Sequence, residues 1–201
     1  MDFPSCLSVI KDIVIAVSAG FAVYVAYSGL DAWKRELKGR SEYKLSKDTL
    51  IAVYRVRNAF LHVRNPAIFT YEYPEDMRSP TGHLKDECKY EGVLYAYEER
   101  FKRVDEAFSN LEDCFLEAQV EWGSDSKDKI VKLRVCRSQL LQAVRQMLDG
   151  MKEGGSAHTR RKSGIDPIIY SSFESDDEGF NLQISEAINE FEKWLRPHVR
   201  H

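Results

Sequence analysis

The sequence predicts a mainly α protein, with one N-terminal transmembrane helix followed by a cytoplasmic helical bundle. Three observations lead there. Residues 13–30, IVIAVSAGFAVYVAYSGL, form an eighteen-residue run without a formal charge. Most of the remaining chain repeats apolar residues at helical steps of three and four. Only IDPIIYSSF (165–173) has the β-branched and aromatic character of a strand or extended segment.

As a helix rising about 1.5 Å per residue, the apolar run covers roughly 27 Å, close to the hydrocarbon thickness of a bilayer. Lys34, Arg35, Lys38 and Arg40 follow it, whereas Lys11 stands before it against Asp2 and Asp12. Positive charge marks the cytoplasmic side, so the N-terminus is expected outside and roughly 170 residues inside. Tyr24, Tyr27 and Trp33 lie toward the basic end, as in an interfacial aromatic belt. A cleaved signal peptide fits less well, because its basic residues should precede the apolar core. A buried core helix is the other alternative, though such runs are usually shorter. The expected divisions are a short outer segment 1–12, a membrane helix 13–32, a juxtamembrane stalk helix 33–66 and a cytoplasmic helical domain 67–201.

The stalk reads as helix, with Leu50, Val53, Val56, Phe60 and Val63 on one face. Gly39 is its weak point, where the helix either continues or bends. It should stop at Pro66, since Asn65, standing before a proline, disfavours the α region. Tyr71 to Gly82 hold Pro74 and Pro80 and read as loop. Tyr90, Leu94, Tyr97, Phe101, Val104, Phe108, Leu111, Phe115 and Ala118 then alternate steps of four and three. This heptad seam predicts a long helix packed inside the bundle or against a sister subunit. After Gly123 a helix over Lys127–Lys152 places Ile130, Leu133, Leu140, Val144, Met147 and Met151 on one face, interrupted by Arg137. EGGSAHTRRKSG is a basic loop, SDDEG an acidic one. A last helix over 182–195 carries Ile184, Ile188, Phe191 and Leu195, and Pro197 should end it.

Composition narrows the chemistry. A formal net charge of −3 excludes a generally basic nucleic-acid binder but allows a local basic patch. The four cysteines are far apart and no histidine stands at ligand spacing, so neither a metal nor another cofactor is expected. Phosphate-binding loops, dinucleotide fingerprints and nucleophile elbows do not occur. The one enzymatic signal is Arg57-Asn58-Ala59-Phe60-Leu61-His62. It reads RNxxxH and resembles the RNA-cleaving motif of the HEPN family, which implies phosphate binding by Arg57 and acid or base work by His62. A surface histidine beside basic neighbours is the plainer account.

The candidate ligand-binding residues are basic, with one aromatic: Arg134, Arg137, Arg160, Arg161, Lys162 and Tyr54. Such a mixture suits a phosphate backbone with some stacking. Arg137 leads, because an arginine in an apolar seam needs a buried anionic partner or a polar cavity. In the span, Ser18, Ala22, Ala26 and Gly29 are small, so copies can approach closely, as a simple anchor or around a narrow hydrophobic pore.

One resemblance joins these features. Tyr27-Ser28-Gly29-Leu30, Trp33-Lys34-Arg35-Glu36-Leu37-Lys38-Gly39, Glu42-Tyr43-Lys44-Leu45, Val53-Tyr54-Arg55-Val56-Arg57, Val63-Arg64-Asn65-Pro66 and the ending Trp194-Leu195-Arg196-Pro197-His198 look like small bacterial single-span membrane proteins of anti-phage systems. Among these the chain resembles the Hailong-type membrane effector. The resemblance covers about the first 70 residues and the last 15. It implies a homo-oligomer, a tetramer by analogy, in the bacterial inner membrane. It further implies a channel controlled by a single-stranded DNA oligomer or nucleotide made by a partner nucleotidyltransferase. A membrane-tethered ribonuclease using Arg57 and His62, and a scaffold without activity, are the alternatives.

Overall fold

The computed structural model describes residues 3–123, 127–152, 164–171 and 179–199. The elements are helical: α1 (Phe3–Val63), α2 (Lys89–Trp122), α3 (Lys127–Lys152), a short α4 (Asp166–Ile169) and α5 (Gly179–Val199). No strand occurs among the described residues, and within the expected strand or extended segment, Asp166–Ile169 form α4, while residues 172–173 lie outside the described residues. Pro167 in its first turn explains the difference. Its fixed φ suits a helix start, and its missing N–H would be unpaired there anyway.

The chain divides into two compact units, one up to Lys44 and one beginning at Leu45. In the first, every side chain from Ile13 to Leu30 is exposed. Its best eighteen-residue window has a mean hydropathy of 1.9, with none of it buried. A helix apolar on all sides has no solvated face to present. By length and composition it can cross a membrane. Gly39 does not interrupt the helix. Arg40 pairs with Glu36 at 2.6 Å and Lys38 with Glu42 at 3.8 Å on its flank.

In the second unit, residues read as stalk belong to the core. Val53, Val56, Phe60 and Val63 of α1 are fully buried. So are most members of the α2 seam: Tyr97, Val104, Phe108, Leu111, Phe115 and Ala118. The seam thus fills the core of its own chain. Phe60 meets Phe108 at 5.8 Å between ring centroids, and Phe115 meets Phe191 of α5 at 6.3 Å. α3 lies against α2 and α5, burying Ile130, Leu133, Cys136, Leu140, Val144 and Met147. Burial pushes the Cys136 thiol up to about 11, so it stays a packed, unreactive thiol.

Two helix ends follow from local chemistry. α1 stops at Val63, and the Asn65 side chain accepts a hydrogen bond from the Ala67 N–H at 3.0 Å, turning the chain. α5 passes the expected stop at Pro197 and runs to Val199. There Trp122 stacks on His198 at 4.2 Å and packs on Trp194 at 5.5 Å, holding the last turn in place.

Arg64 joins α1 to the C-terminal elements. It is fully buried, donates to the carbonyls of Ile168 (2.8 Å) and Pro167 (2.7 Å) and to the Asn181 amide oxygen, and lies over the Phe180 ring. Arg64→Met keeps the stem but leaves these acceptors unsatisfied. The expected loss is about 3 kcal/mol, read by urea unfolding, with faster amide exchange in α4 than elsewhere.

Candidate functional site

The polar centre of the helical domain is built on the turn after α1. Arg100 of α2 is 1 % exposed, at the helical step between Tyr97 and Val104 that core residues occupy. Its Nε donates to Glu72 Oε2 at 2.6 Å and its Nη2 to Glu72 Oε1 at 2.9 Å. The remaining N–H groups reach the carbonyls of Asn65 (2.8 Å) and Ala67 (2.6 Å). Glu72 also accepts from the Phe69 N–H at 2.9 Å. Burial pushes the Glu72 carboxyl up, but the hydrogen bonds from Arg100 and Phe69 outweigh it and leave it below its ordinary value. This pair holds the 63–72 loop against α2.

Beside the clamp lies a groove between α1 and α2. Arg55, Asn58 and His62 stand at steps of three and four on α1, facing Arg103, Glu106 and Asn110 on α2. Ala59 and Ala107 form its floor. With small residues where the helices face each other, a space of about 380 Å³ stays open above them. A second hollow of about 200 Å³ shares His62 and Arg103 and adds Tyr71 and Tyr95. Arg103 Nη1 lies 3.2 Å from His62 Nε2. Burial, then the guanidinium groups of Arg103 and Arg100, push the His62 imidazole below its ordinary value. The neutral ring can therefore accept a hydrogen bond from Arg103.

That shift carries a sign. The folded state disfavours protonated His62, so it binds fewer protons than the unfolded chain as pH falls through the ordinary imidazole range. The His62 contribution is present above about pH 6.5 and is lost below it. His62→Gln should flatten the fall in unfolding free energy between about pH 7.5 and 5.5, measured by urea titration at each pH.

The expected site residues are dispersed. Arg57 is exposed and lies over the Tyr54 ring at 4.9 Å, so the fold does not bring it to His62. The Tyr54 hydroxyl donates to Glu192 at 2.8 Å. Arg134 forks onto Glu112 at 2.9 and 3.1 Å. Arg137 does not occupy the apolar seam. Cys136 and Leu140 carry that stripe, while the Arg137 side chain is 40 % exposed and pairs with exposed Asp105 at 2.7 Å. The step from Leu133 to Cys136 to Leu140 puts Arg137 at the edge, where its stem covers Phe108. Ser18, Ala22, Ala26 and Gly29 are exposed on α1. Arg160, Arg161 and Lys162 lie outside the described residues. Among the described residues no group of three or more His, Cys, Asp or Glu side chains is placed to hold a metal.

Sequence reading missed Arg100 and Arg103 because Phe101 satisfies the heptad count as well as Arg100 does. It also missed Tyr71, which a loop delivers from outside any periodic pattern. Compared with known proteins, the chain matches no family model, no curated protein and no solved structure.

Proposed function

We propose that this protein is an oligomeric membrane effector of an anti-phage system. In this reading it lies in the bacterial inner membrane with its N-terminus outside and its helical domain in the cytoplasm. A nucleotide or nucleic-acid ligand, supplied by a partner nucleotidyltransferase, controls whether the packed spans form a channel or otherwise disrupt the bilayer. One observation carries the proposal: a single unbroken helix holds both the exposed, charge-free segment and the α1 side of the groove. A ligand drawing on Arg55, Asn58 and His62 acts directly on the helix that bears the span. Small residues at Ser18, Ala22, Ala26 and Gly29 suit close approach of four such helices.

The test is expression in cells carrying a membrane-potential dye, with and without the partner enzyme. Depolarisation that the ligand state controls supports the reading, and a normal potential in every state removes it. Purification in detergent should give a multimer with absorbance at 260 nm from co-purified ligand. A second reading, a membrane-tethered ribonuclease, draws on Asn58, His62 and Arg103 sharing one groove. It requires RNA cleavage that His62→Ala abolishes.

A further inference from the structure

We propose that the α1–α2 groove binds the phosphate of a nucleoside phosphate, with Tyr71 and Tyr95 receiving the base. This rests on the ligand-controlled reading above and assigns it a site. Two guanidinium groups that line the groove have no carboxylate partner among the described residues. Among the described residues, Arg100, Arg134, Arg137 and Lys132 each meet a carboxylate, whereas Arg55 and Arg103 meet none within ion-pair distance. Both line the groove. Arg103 is spent only on His62, through one N–H, and keeps the rest of its fork. Two guanidinium groups with an amide and an imidazole between them form a donor set suited to a tetrahedral anion with several acceptor oxygens.

The acids nearby do not fill that role. Glu99, in the adjoining hollow, is held by Lys102. Glu106 lines the groove beside Asn110 without engaging Arg103. It limits affinity for a bare anion and favours a ligand that gains energy elsewhere.

That second contact is aromatic. Tyr71 is 69 % exposed and stacks on Phe69, itself 48 % exposed, with ring centroids 5.6 Å apart and planes 4° apart. Solvent-facing stacked rings are an unusual use of apolar area. Tyr71 shares the adjoining hollow with Tyr95, His62 and Arg103. A base resting there puts its phosphate toward Arg103 and Arg55. Base stacking of this kind is sequence-tolerant, so affinity depends more on the phosphate than on the base.

The experiment uses full-length protein in detergent, freed of co-purified nucleic acid, with calorimetric titration of inorganic phosphate, adenosine monophosphate and a short phosphorylated DNA oligomer. Adenosine monophosphate should bind more tightly than phosphate. Arg55→Gln and Arg103→Gln should each weaken it about tenfold, and Tyr71→Ala should remove its advantage over phosphate. Glu106→Gln should tighten both. Lys132→Gln, a surface cation in an ion pair, should change neither, and Arg103→Lys reports charge retained without the fork. Tighter binding of the oligomer identifies a chain end as the natural source, and equal binding identifies a free nucleotide. Failure of all three probes to bind, or unchanged binding by folded Arg55→Gln and Arg103→Gln, overturns the assignment. Depolarisation controlled by ligand in those same variants would sink this site while leaving the effector reading intact. Binding without any depolarisation would do the reverse.

Discussion

Arg100→Ala lowers the stability of the helical domain by about 3–5 kcal/mol. The substitution strands the Glu72 carboxylate, 8 % exposed, and removes donors from the Asn65 and Ala67 carbonyls. A charge left buried without its partner costs more than the pair contributed. In urea the midpoint should fall on the order of 2 M, with the slope unchanged. Pairing Arg100→Met with Glu72→Gln removes both charges, and its cost should be less than the sum of the single losses. Strict additivity would contradict the clamp. The pair also gives an acid limb. Because Glu72 lies below its ordinary value when folded, its contribution is present above about pH 4.5 and fades as pH falls through the folded value. The Glu72→Gln variant should lack that limb.

The second large effect tests the proposed membrane span. Gly20→Arg together with Val23→Arg should move the protein out of the carbonate-resistant membrane fraction. Each arginine at the centre of a span costs about 2.5–3.5 kcal/mol, and the two together roughly 5–7 kcal/mol. Nothing stands within 4 Å of a Cβ placed at Gly20, and Val23 is 70 % exposed. The substitutions therefore create no clash, and the helical domain should keep its circular dichroism and urea midpoint. Retention in the membrane by the doubly charged variant would mean that another segment anchors the chain.

The long helices were legible where one physical rule acts alone. The Lys127–Lys152 helix follows from apolar residues at steps of three and four, and α2 from its seam. Helix ends were harder. Pro197 reads as a stop, yet the Trp122 and Trp194 rings keep α5 helical beyond it. The segment after Ile165 reads as strand-like because β-branched side chains suit both extended and buried helical backbone. Pro167 in the first turn favours the helix, and Arg64, from the end of α1, donates to its carbonyls.

The candidate site was legible only in part. His62 was noticed for its motif, but the motif paired it with Arg57, which turns to Tyr54. Its neighbour in space is Arg103, 41 residues along the chain. Arg137 stood out because it breaks a pattern, yet it sits at the edge of the stripe with an exposed partner.

From sequence alone came the helical class, the charge-free segment and the faces that go inward, because hydrophobic periodicity and helix rise are local quantities. Tertiary structure alone decided which arginines are buried, which stay unpaired, and that two alanines leave a groove between α1 and α2. Those depend on what another element places within a few ångströms, and one-dimensional spacing carries no such distance.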